Sequence, residues 1–171
     1  MPADQPNELF DVVDEADQVI GQATRQEVHE QGLLHRAAHV FVTNSRGELL
    51  VQQRSSTKDS YPLHWTSSAS GHLDAGESYL EAAGRELREE IGLEATLEFL
   101  VKLPAGPETS NEHTVLFGAI SDEKPTPDPS EVAAVARYSL DDLCSMLSDD
   151  PGRFDPPFRT LLRWYLDRPT G

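Results

Sequence analysis

Residues 71–93 constrain this chain more than any other stretch, because carboxylates, arginines and glycines stand there at fixed spacings around a turn and a helical pattern. Within residues 79–91, apolar side chains recur at steps of three or four. This spacing predicts one helix whose inward stripe is Leu80, Ala83, Leu87 and Ile91. Glu86, Glu89 and Glu90 are predicted on the opposite side, with Glu86 and Glu90 one turn apart.

Three neighbouring carboxylates repel one another, so a helix that carries them requires a compensating cation. Arg85 precedes Glu89 by four residues and can pair with it along the helix, but it cannot neutralise all three charges. Hard oxygen ligands that converge on one place are what Mg²⁺ or Mn²⁺ accepts, with waters and substrate phosphates completing the shell. A solvated helix face with salt bridges would explain the charges, but not the glycines and Glu77.

The same stretch resembles the Nudix box, G-x5-E-x7-R-E-U-x-E-E-x-G-U, in which U is a bulky aliphatic residue. Every fixed position of the box is matched, by Gly71, Glu77, Arg85, Glu86, Leu87, Glu89, Glu90, Gly92 and Leu93. In that family, the box forms a loop and helix that bind divalent metal ions and cleave a diphosphate bond. The resemblance implies an α/β fold, an α/β/α sandwich around a mixed sheet, covering roughly residues 8–168 of a single domain that spans 1–171.

Carried over position by position, the resemblance assigns four metal ligands: Gly71 through its carbonyl, Glu86, Glu89 and Glu90. It assigns catalytic roles to Glu86, Glu89, Arg85 and Glu112. Arg85 is expected to hold Glu89 in place, and Glu77 is expected to brace the loop. The general base stays open between a box glutamate and a carboxylate of a later loop, for which Glu112 is the first candidate and Glu108 the second.

A second resemblance links residues 33–72 to the amino-terminal half of isopentenyl-diphosphate isomerases, which share the Nudix fold. His29, His35 and His72 lie near the metal-binding histidines of those enzymes, and Glu112 matches their second acid. The cations that hold the diphosphate are matched by Arg54 and Lys58. These two residues and His72 are therefore the candidate substrate-binding residues.

Two departures from the isomerases favour a hydrolase. The catalytic cysteine before Gly-His is replaced by Ser70, and one metal-binding glutamate position is occupied by Ser110. A serine hydroxyl has too high a pKa to protonate a carbon–carbon double bond readily, whereas a thiol can do so. The isomerases also have a degenerate box, whereas this one has the full set of glutamates. Isomerisation and a non-catalytic ligand sensor remain the alternatives.

Composition limits the partners of the chain. The formal net charge of −16 argues against a nucleic acid polymer or an anionic membrane and leaves a small-molecule diphosphate as the expected substrate. No apolar run is long enough for a transmembrane helix, and the amino terminus has no signal segment, so a cytoplasmic protein is expected. A single cysteine, Cys144, excludes an internal disulfide and is predicted to be buried. An apolar hairpin near the amino terminus could support a homodimer.

Alternation and turn residues predict a hairpin over residues 8–23 and strands at 35–43, 48–54, 95–103, 112–120 and 133–138. Helices are predicted at 24–31, 79–91 and 141–147, and from Pro156 onwards with Phe158, Leu161, Leu162 and Tyr165 facing inwards. His39 and His113 are interpreted as packed or hydrogen-bonded residues rather than ligands. For Trp65 and Tyr61, core packing and stacking on a substrate both stay open.

Overall fold

The computed structural model describes residues 4–169, which form a seven-stranded sheet, a separate two-stranded hairpin and four α-helices. The strands are β1 Leu9–Val13, β2 Val19–Thr24, β3 His35–Thr43, β4 Leu49–Arg54, β5 Trp65–Thr66, β6 Ala69–His72, β7 Glu98–Leu103, β8 Glu112–Ile120 and β9 Val132–Tyr138. The helices are α1 Arg25–Gln31, α2 Tyr79–Ile91, α3 Leu140–Asp149 and α4 Pro156–Asp167. No helix among residues 4–169 is long and apolar enough to cross a membrane.

The large sheet is mixed, with strand order β5-β4-β3-β8-β7, while β6 pairs with β3 and β9 pairs with β4. β3 and β8 run parallel, in register from His35 opposite Glu112 to Thr43 opposite Ile120. The other strand pairs are antiparallel. Because β3 and β8 start at the same edge, His35 and Glu112 lie side by side there.

Helices cover both faces of this sheet. Ala38, Val40 and Val42 of β3 pack in one buried cluster with α2, while Phe41 packs in a second cluster with α4. Successive strand residues point to opposite faces, so β3 divides its side chains between the two clusters. The predicted α/β/α sandwich with a mixed sheet is confirmed. The inward residues of α4 are also as predicted, since Phe158, Leu161, Leu162 and Tyr165 are buried.

The box helix α2 has the predicted bounds and strong signals at both ends. At its start, the Ser78 hydroxyl accepts a hydrogen bond from Glu81 N and the Glu81 carboxylate accepts one from Ser78 N, which satisfies two backbone donors. At its end, Gly92 adopts φ 66°, a left-handed conformation that glycine tolerates without strain. The prediction is wrong for one residue of the stripe. Leu80 is 55% exposed, and Tyr79, which precedes it, packs against the core.

Three further predictions are corrected. Cys144 is exposed, because the inward stripe of α3 is narrow and is occupied by Leu143 and Leu147. The predicted strand over residues 95–103 begins only at Glu98. The sequence predicts no strand in the residues that lead into the box, but both β5 and β6 lie there.

The amino-terminal hairpin is fixed to the sheet through Asp17, a buried turn residue with φ 61°. Its carboxylate accepts hydrogen bonds from Arg36 Nε at 2.6 Å, from the Tyr79 hydroxyl at 2.8 Å and from Lys102 Nζ. These partners belong to β3, α2 and β7. A single carboxylate therefore ties the hairpin to three elements of the sandwich.

Candidate active site

A cavity of about 630 Å³ lies at the edge of the sheet where β3 and β8 begin. Residues from α1, α2, β6 and the loop after β4 converge on it. The predicted site residues that line it are Arg54, Lys58, Gly71, His72, Arg85, Glu86, Glu89 and Glu112. Apart from Glu90, the predicted metal ligands of the box therefore share one cavity with the isomerase-like residues.

Arg85 occupies the centre of the box. Its guanidinium binds Glu77 through two parallel hydrogen bonds of 2.8 Å each, and Nη2 also donates to the backbone carbonyl of His72 at 3.1 Å. Nη1 lies 2.6 Å from Glu86 Oε1 and 3.3 Å from Glu89 Oε2. The expected contact with Glu89 is present, but the bidentate pair with Glu77 is the better-formed one. Arg85 thus joins the loop to the helix.

Gly71 is the point at which β6 meets the box helix most closely. A Cβ atom added to Gly71 would lie 2.3 Å from Glu86 Oε1 and 2.4 Å from Glu86 Cδ. No side chain fits at such a distance, so this backbone position requires glycine for the Glu86 carboxylate to stay where it is.

The structure buries Glu90, contrary to the prediction that it faces away from the core. Its exposed fraction is 3%. The reason is helical geometry: Glu90 follows Leu87 by three residues and therefore lies beside the apolar stripe. Its Oε1 atom accepts hydrogen bonds from Ser70 N at 2.8 Å and from Gln52 Nε2 at 3.1 Å. Glu90 consequently lies behind β6, the strand that carries Ser70.

The electrostatics of these carboxylates fit a bound cation. Burial raises the pKa of Glu86 well above its usual range, and the charge of Glu90 raises it further, although Arg85 opposes both effects. Burial also raises the pKa of Glu90 to about 7, although Lys58 and the Ser70 N–H favour its ionised form. Repelling buried carboxylates are stabilised as anions by a divalent ion. Together with the carboxylate of Glu89 at the cavity, this is an oxygen-donor set suited to Mg²⁺ or Mn²⁺.

A histidine cluster lies opposite the box. The nitrogen atoms that His29, His35 and His72 offer to a metal ion all lie within 4.8 Å of one another. Glu112 joins them, since its Oε1 is 3.2 Å from His72 Nε2 and 3.9 Å from His35 Nε2. The structure thus brings together residues that are far apart in the sequence, at the edge where β3 and β8 begin.

Hydrogen bonds define the tautomers of the two inner histidines. His35 Nδ1 lies 2.9 Å from the Leu33 carbonyl, so Nδ1 carries the proton, and Nε2 is buried without a hydrogen-bond partner among the described residues. Burial, followed by the nearby His72, lowers the pKa of His35 to about 4. His72 Nδ1 accepts from Arg25 Nη1 at 3.0 Å, which directs the His72 Nε2 proton to Glu112.

Neutral imidazole is the form that binds metals, so His35 Nε2 fits a metal ligand directly. His72 does not fit in this tautomer, because its Nδ1 accepts from Arg25 and its Nε2 carries the proton that is donated to Glu112. Burial raises the pKa of Glu112, which makes it a better proton acceptor than an exposed glutamate.

Comparison with known proteins places this geometry in a family. The family model of the NUDIX domain matches residues 33–165, well over half of the chain. The chain belongs to the Nudix family. The match contains the whole box, the whole seven-stranded sheet and almost all of α4.

Relatives of this Nudix protein carry two kinds of name. The isopentenyl-diphosphate Delta-isomerase of Serratia proteamaculans is 34% identical over 163 residues, which cover 92% of this chain and 90% of the relative. An uncharacterized Nudix hydrolase of Nostoc is 44% identical over 94 residues, about half of each chain (54% and 56%). Among solved structures, DR0079 of Deinococcus radiodurans superposes with a TM-score of 0.79 at 26% identity, covering 94% of this chain and 100% of that one.

The two predicted diphosphate cations differ in their surroundings. Arg54 Nε donates to the Ser60 carbonyl at 3.0 Å, and the half-buried side chain lines the cavity of this Nudix protein. Lys58 Nζ pairs with Glu131 and lies 3.5 Å from Asp4 Oδ1, with only 9% of its side chain exposed. A phosphate that bound Lys58 would have to compete with these carboxylates.

The structure distinguishes buried or hydrogen-bonded residues from cavity residues among the other candidates of the sequence analysis. His113 Nε2 lies 2.9 Å from the Asp14 carbonyl, and His39 Nδ1 lies 2.7 Å from Ser67 Oγ, so both are hydrogen-bonded as predicted. Trp65 packs against the cluster under α4, which supports core packing. Tyr61 is 41% exposed and lines the cavity. Glu108 is exposed and lies outside the set of residues that line the cavity.

Sequence reasoning missed Arg25, which is 6% exposed and lines the same cavity. Its guanidinium forms two 3.0 Å hydrogen bonds with Asp59 and lies 3.4 Å from Asp4 and 3.5 Å from Glu8. One signal was available: a cation in the first turn of a helix opposes the helix dipole, and such a position calls for an external partner.

Proposed function

We propose that this Nudix protein is a Mg²⁺- or Mn²⁺-dependent hydrolase that cleaves a diphosphate linkage in a small molecule. The observation that carries the proposal is the complete set of box carboxylates, with Glu86 against Gly71. Burial raises the pKa of both Glu86 and Glu90, and the charge of Glu90 raises that of Glu86 further. Buried carboxylates that repel each other are unfavourable in a metal-free protein, whereas a bound divalent cation stabilises them as anions.

In this proposal, Gly71, Glu86, Glu89 and Glu90 hold the cation. When bound, a divalent ion screens the oxygens of the diphosphate and lowers the pKa of the attacking water. Arg85 keeps the loop and the helix in register through Glu77. Arg54 binds the diphosphate, and Lys58 and His72 contribute once their internal partners are displaced.

Glu89 and Glu112 are the two candidates for the base that takes the proton of the attacking water. Glu89 is the more exposed of them and lies with the box, whereas Glu112 is buried and already bound to His72. Glu89→Gln and Glu112→Gln distinguish them through the pH profile of kcat, since loss of the base removes the acidic limb.

The test is a metal-dependent hydrolysis screen over nucleoside diphosphate sugars, dinucleotides, coenzymes and isoprenyl diphosphates. Release of a phosphorylated product that requires Mg²⁺ or Mn²⁺, and that fails in Glu86→Gln, supports the proposal. Wild-type turnover retained by Glu86→Gln on the preferred substrate would contradict it.

A second candidate is isomerisation of isopentenyl diphosphate. The observation that favours it is the cluster of His29, His35 and His72 beside Glu112, together with the names of the isomerase relatives. Ser70 disfavours it. This residue lines the cavity where isomerisation needs a proton donor to carbon, and a serine hydroxyl is too weak an acid to serve readily as that donor. Incubation in D₂O separates the two: deuterium in the allylic product indicates isomerisation, and phosphate release without deuterium indicates hydrolysis.

A further inference from the structure

Gln52 of β4 is a buried amide whose two N–H groups are both bound behind the cavity. Its exposed fraction is 1%, and Nε2 donates to Glu90 Oε1 and to the Ser68 carbonyl, each at 3.1 Å. A backbone carbonyl can only accept, which fixes Nε2 rather than the amide oxygen towards Ser68. The orientation of the amide follows from its partners.

These bonds connect the centre of the sheet with the box. The Glu90 oxygen that binds Gln52 also accepts the Ser70 N–H at 2.8 Å. The Ser68 hydroxyl is itself hydrogen-bonded to the backbones of β3 and β4. Gln52 therefore holds the 68–71 segment and the carboxylate of Glu90 in one arrangement.

The position of Gln52 on the strand makes its polarity informative. Leu50, two residues earlier on the same face of β4, belongs to the apolar cluster under α2. A buried amide costs free energy unless all its groups are bound, so an apolar residue would be the simpler choice at Gln52. What the amide provides is directed hydrogen bonding to Glu90, next to Gly71 and Glu86.

We propose that Gln52 is a positioning residue that holds Glu90 in the orientation in which it binds the divalent cation. The inference rests on the proposed function, in which Glu90 is a metal ligand. Hydrogen bonds that orient a ligating side chain typically contribute about 10- to 100-fold to metal affinity. Gln52 acts through Glu90 and does not itself contact the cation.

The experiment compares two neighbouring glutamines. Gln52→Met keeps the length of the side chain and removes both donors. Gln53→Met is the matched control, because the Gln53 amide donates to the Leu63 carbonyl at 3.1 Å, away from the box. Calorimetric titration of the metal-free proteins with Mn²⁺, without substrate, measures the Kd. We expect Gln52→Met to raise the Kd about tenfold or more and Gln53→Met to change it by less than about twofold.

A Kd in Gln52→Met that stays within about twofold of wild type, even with a lowered Tm, would show that Gln52 only supports the sheet. If Gln52→Met fails to fold, Gln52→Asn replaces it, since the shorter amide cannot reach both partners. A raised Kd in that variant supports the inference, and an unchanged Kd overturns it. A wild-type protein that binds no Mn²⁺ overturns the proposed function as well. An unchanged Kd in Gln52→Met overturns only the role of Gln52 and leaves the proposed function standing.

Discussion

At the scale of single residues, the buried carboxylates of the box give the metal-free protein an unusual pH dependence. The pKa of Glu90 is raised by burial from 4.5 to about 7 in the folded state, so the folded protein binds more protons than the unfolded chain between these values. Stability contributed by such a group is present at low pH and is lost as the pH rises through that window.

We therefore expect Glu90→Gln to be more stable than wild type at pH 8 in a chelator, with the difference shrinking towards pH 4.5. Urea unfolding at several pH values measures this difference. Saturating Mn²⁺ should reverse the order, because the metal stabilises only a protein that binds it. A variant that is equally destabilised at every pH would contradict the pKa assignment of Glu90.

At the scale of elements, the segment before β1 places a carboxylate at the cations of the cavity. Asp4 Oδ1 lies 3.4 Å from Arg25 Nη2 and 3.5 Å from Lys58 Nζ, and Asp4 Oδ2 accepts the Asp59 N–H at 2.9 Å. The Asp4 side chain is 10% exposed. If the substrate is a diphosphate, as proposed, its phosphate would meet a negative charge there and would have to displace it.

Asp4→Asn should consequently bind inorganic pyrophosphate more tightly than wild type, by about fivefold if the ion pairs contribute ~1 kcal/mol. Calorimetry at fixed Mn²⁺ concentration measures this Kd. Glu15→Gln, an exposed substitution in the β1–β2 turn, is the control for net charge. Weaker binding by Asp4→Asn would show that Asp4 organises the cations rather than competing for them.

The hairpin gives a prediction about stability. Asp17→Asn keeps a residue type that tolerates positive φ but removes the charge shared by Arg36, Tyr79 and Lys102. At pH 7, we expect a loss on the order of 3 kcal/mol in the free energy of unfolding, because partly buried cations lose their counter-ion. Thermal and urea unfolding measure the loss.

The pH dependence of this loss has a definite sign. Burial raises the pKa of Asp17, but the hydrogen bonds from Lys102, Arg36 and Tyr79 outweigh it and hold the pKa below 3.8. The stabilisation is therefore complete above that value and disappears as the pH falls further. The gap between wild type and Asp17→Asn should close in acid. A gap that is independent of pH would mean that packing, rather than charge, fixes the hairpin.

At the scale of the whole molecule, much of the fold and part of the candidate site could be predicted from the sequence. The apolar periodicity over residues 79–91 is a local signal, and the structure confirms the helix that it predicts. The sandwich followed from the family resemblance. The single-domain boundaries, the homodimer and the cytoplasmic location stay predictions.

The rest could not be predicted, because it depends on contacts between distant parts of the chain. Gln52 binds Glu90 across 38 positions and Arg25 meets His72 across 47, and no spacing rule links either pair. Periodicity also misassigned burial where a helix is only partly covered. Leu80 is exposed although it follows the stripe, and Glu90 is buried although it is charged.

The central claim is that the box carboxylates bind a divalent cation and that this cation is required to split a diphosphate. Phosphorus-31 and proton NMR of isopentenyl diphosphate and of a panel of diphosphate-linked compounds, each with Mg²⁺ in D₂O, test it most directly when wild type and Glu86→Gln are compared. We expect wild type with Mg²⁺ to replace the resonances of a diphosphate by those of its cleaved products, no cleavage without Mg²⁺, and a rate at least about 100-fold lower in the variant. Conversion of isopentenyl diphosphate into a deuterated allylic diphosphate, with no diphosphate in the panel cleaved, would contradict it.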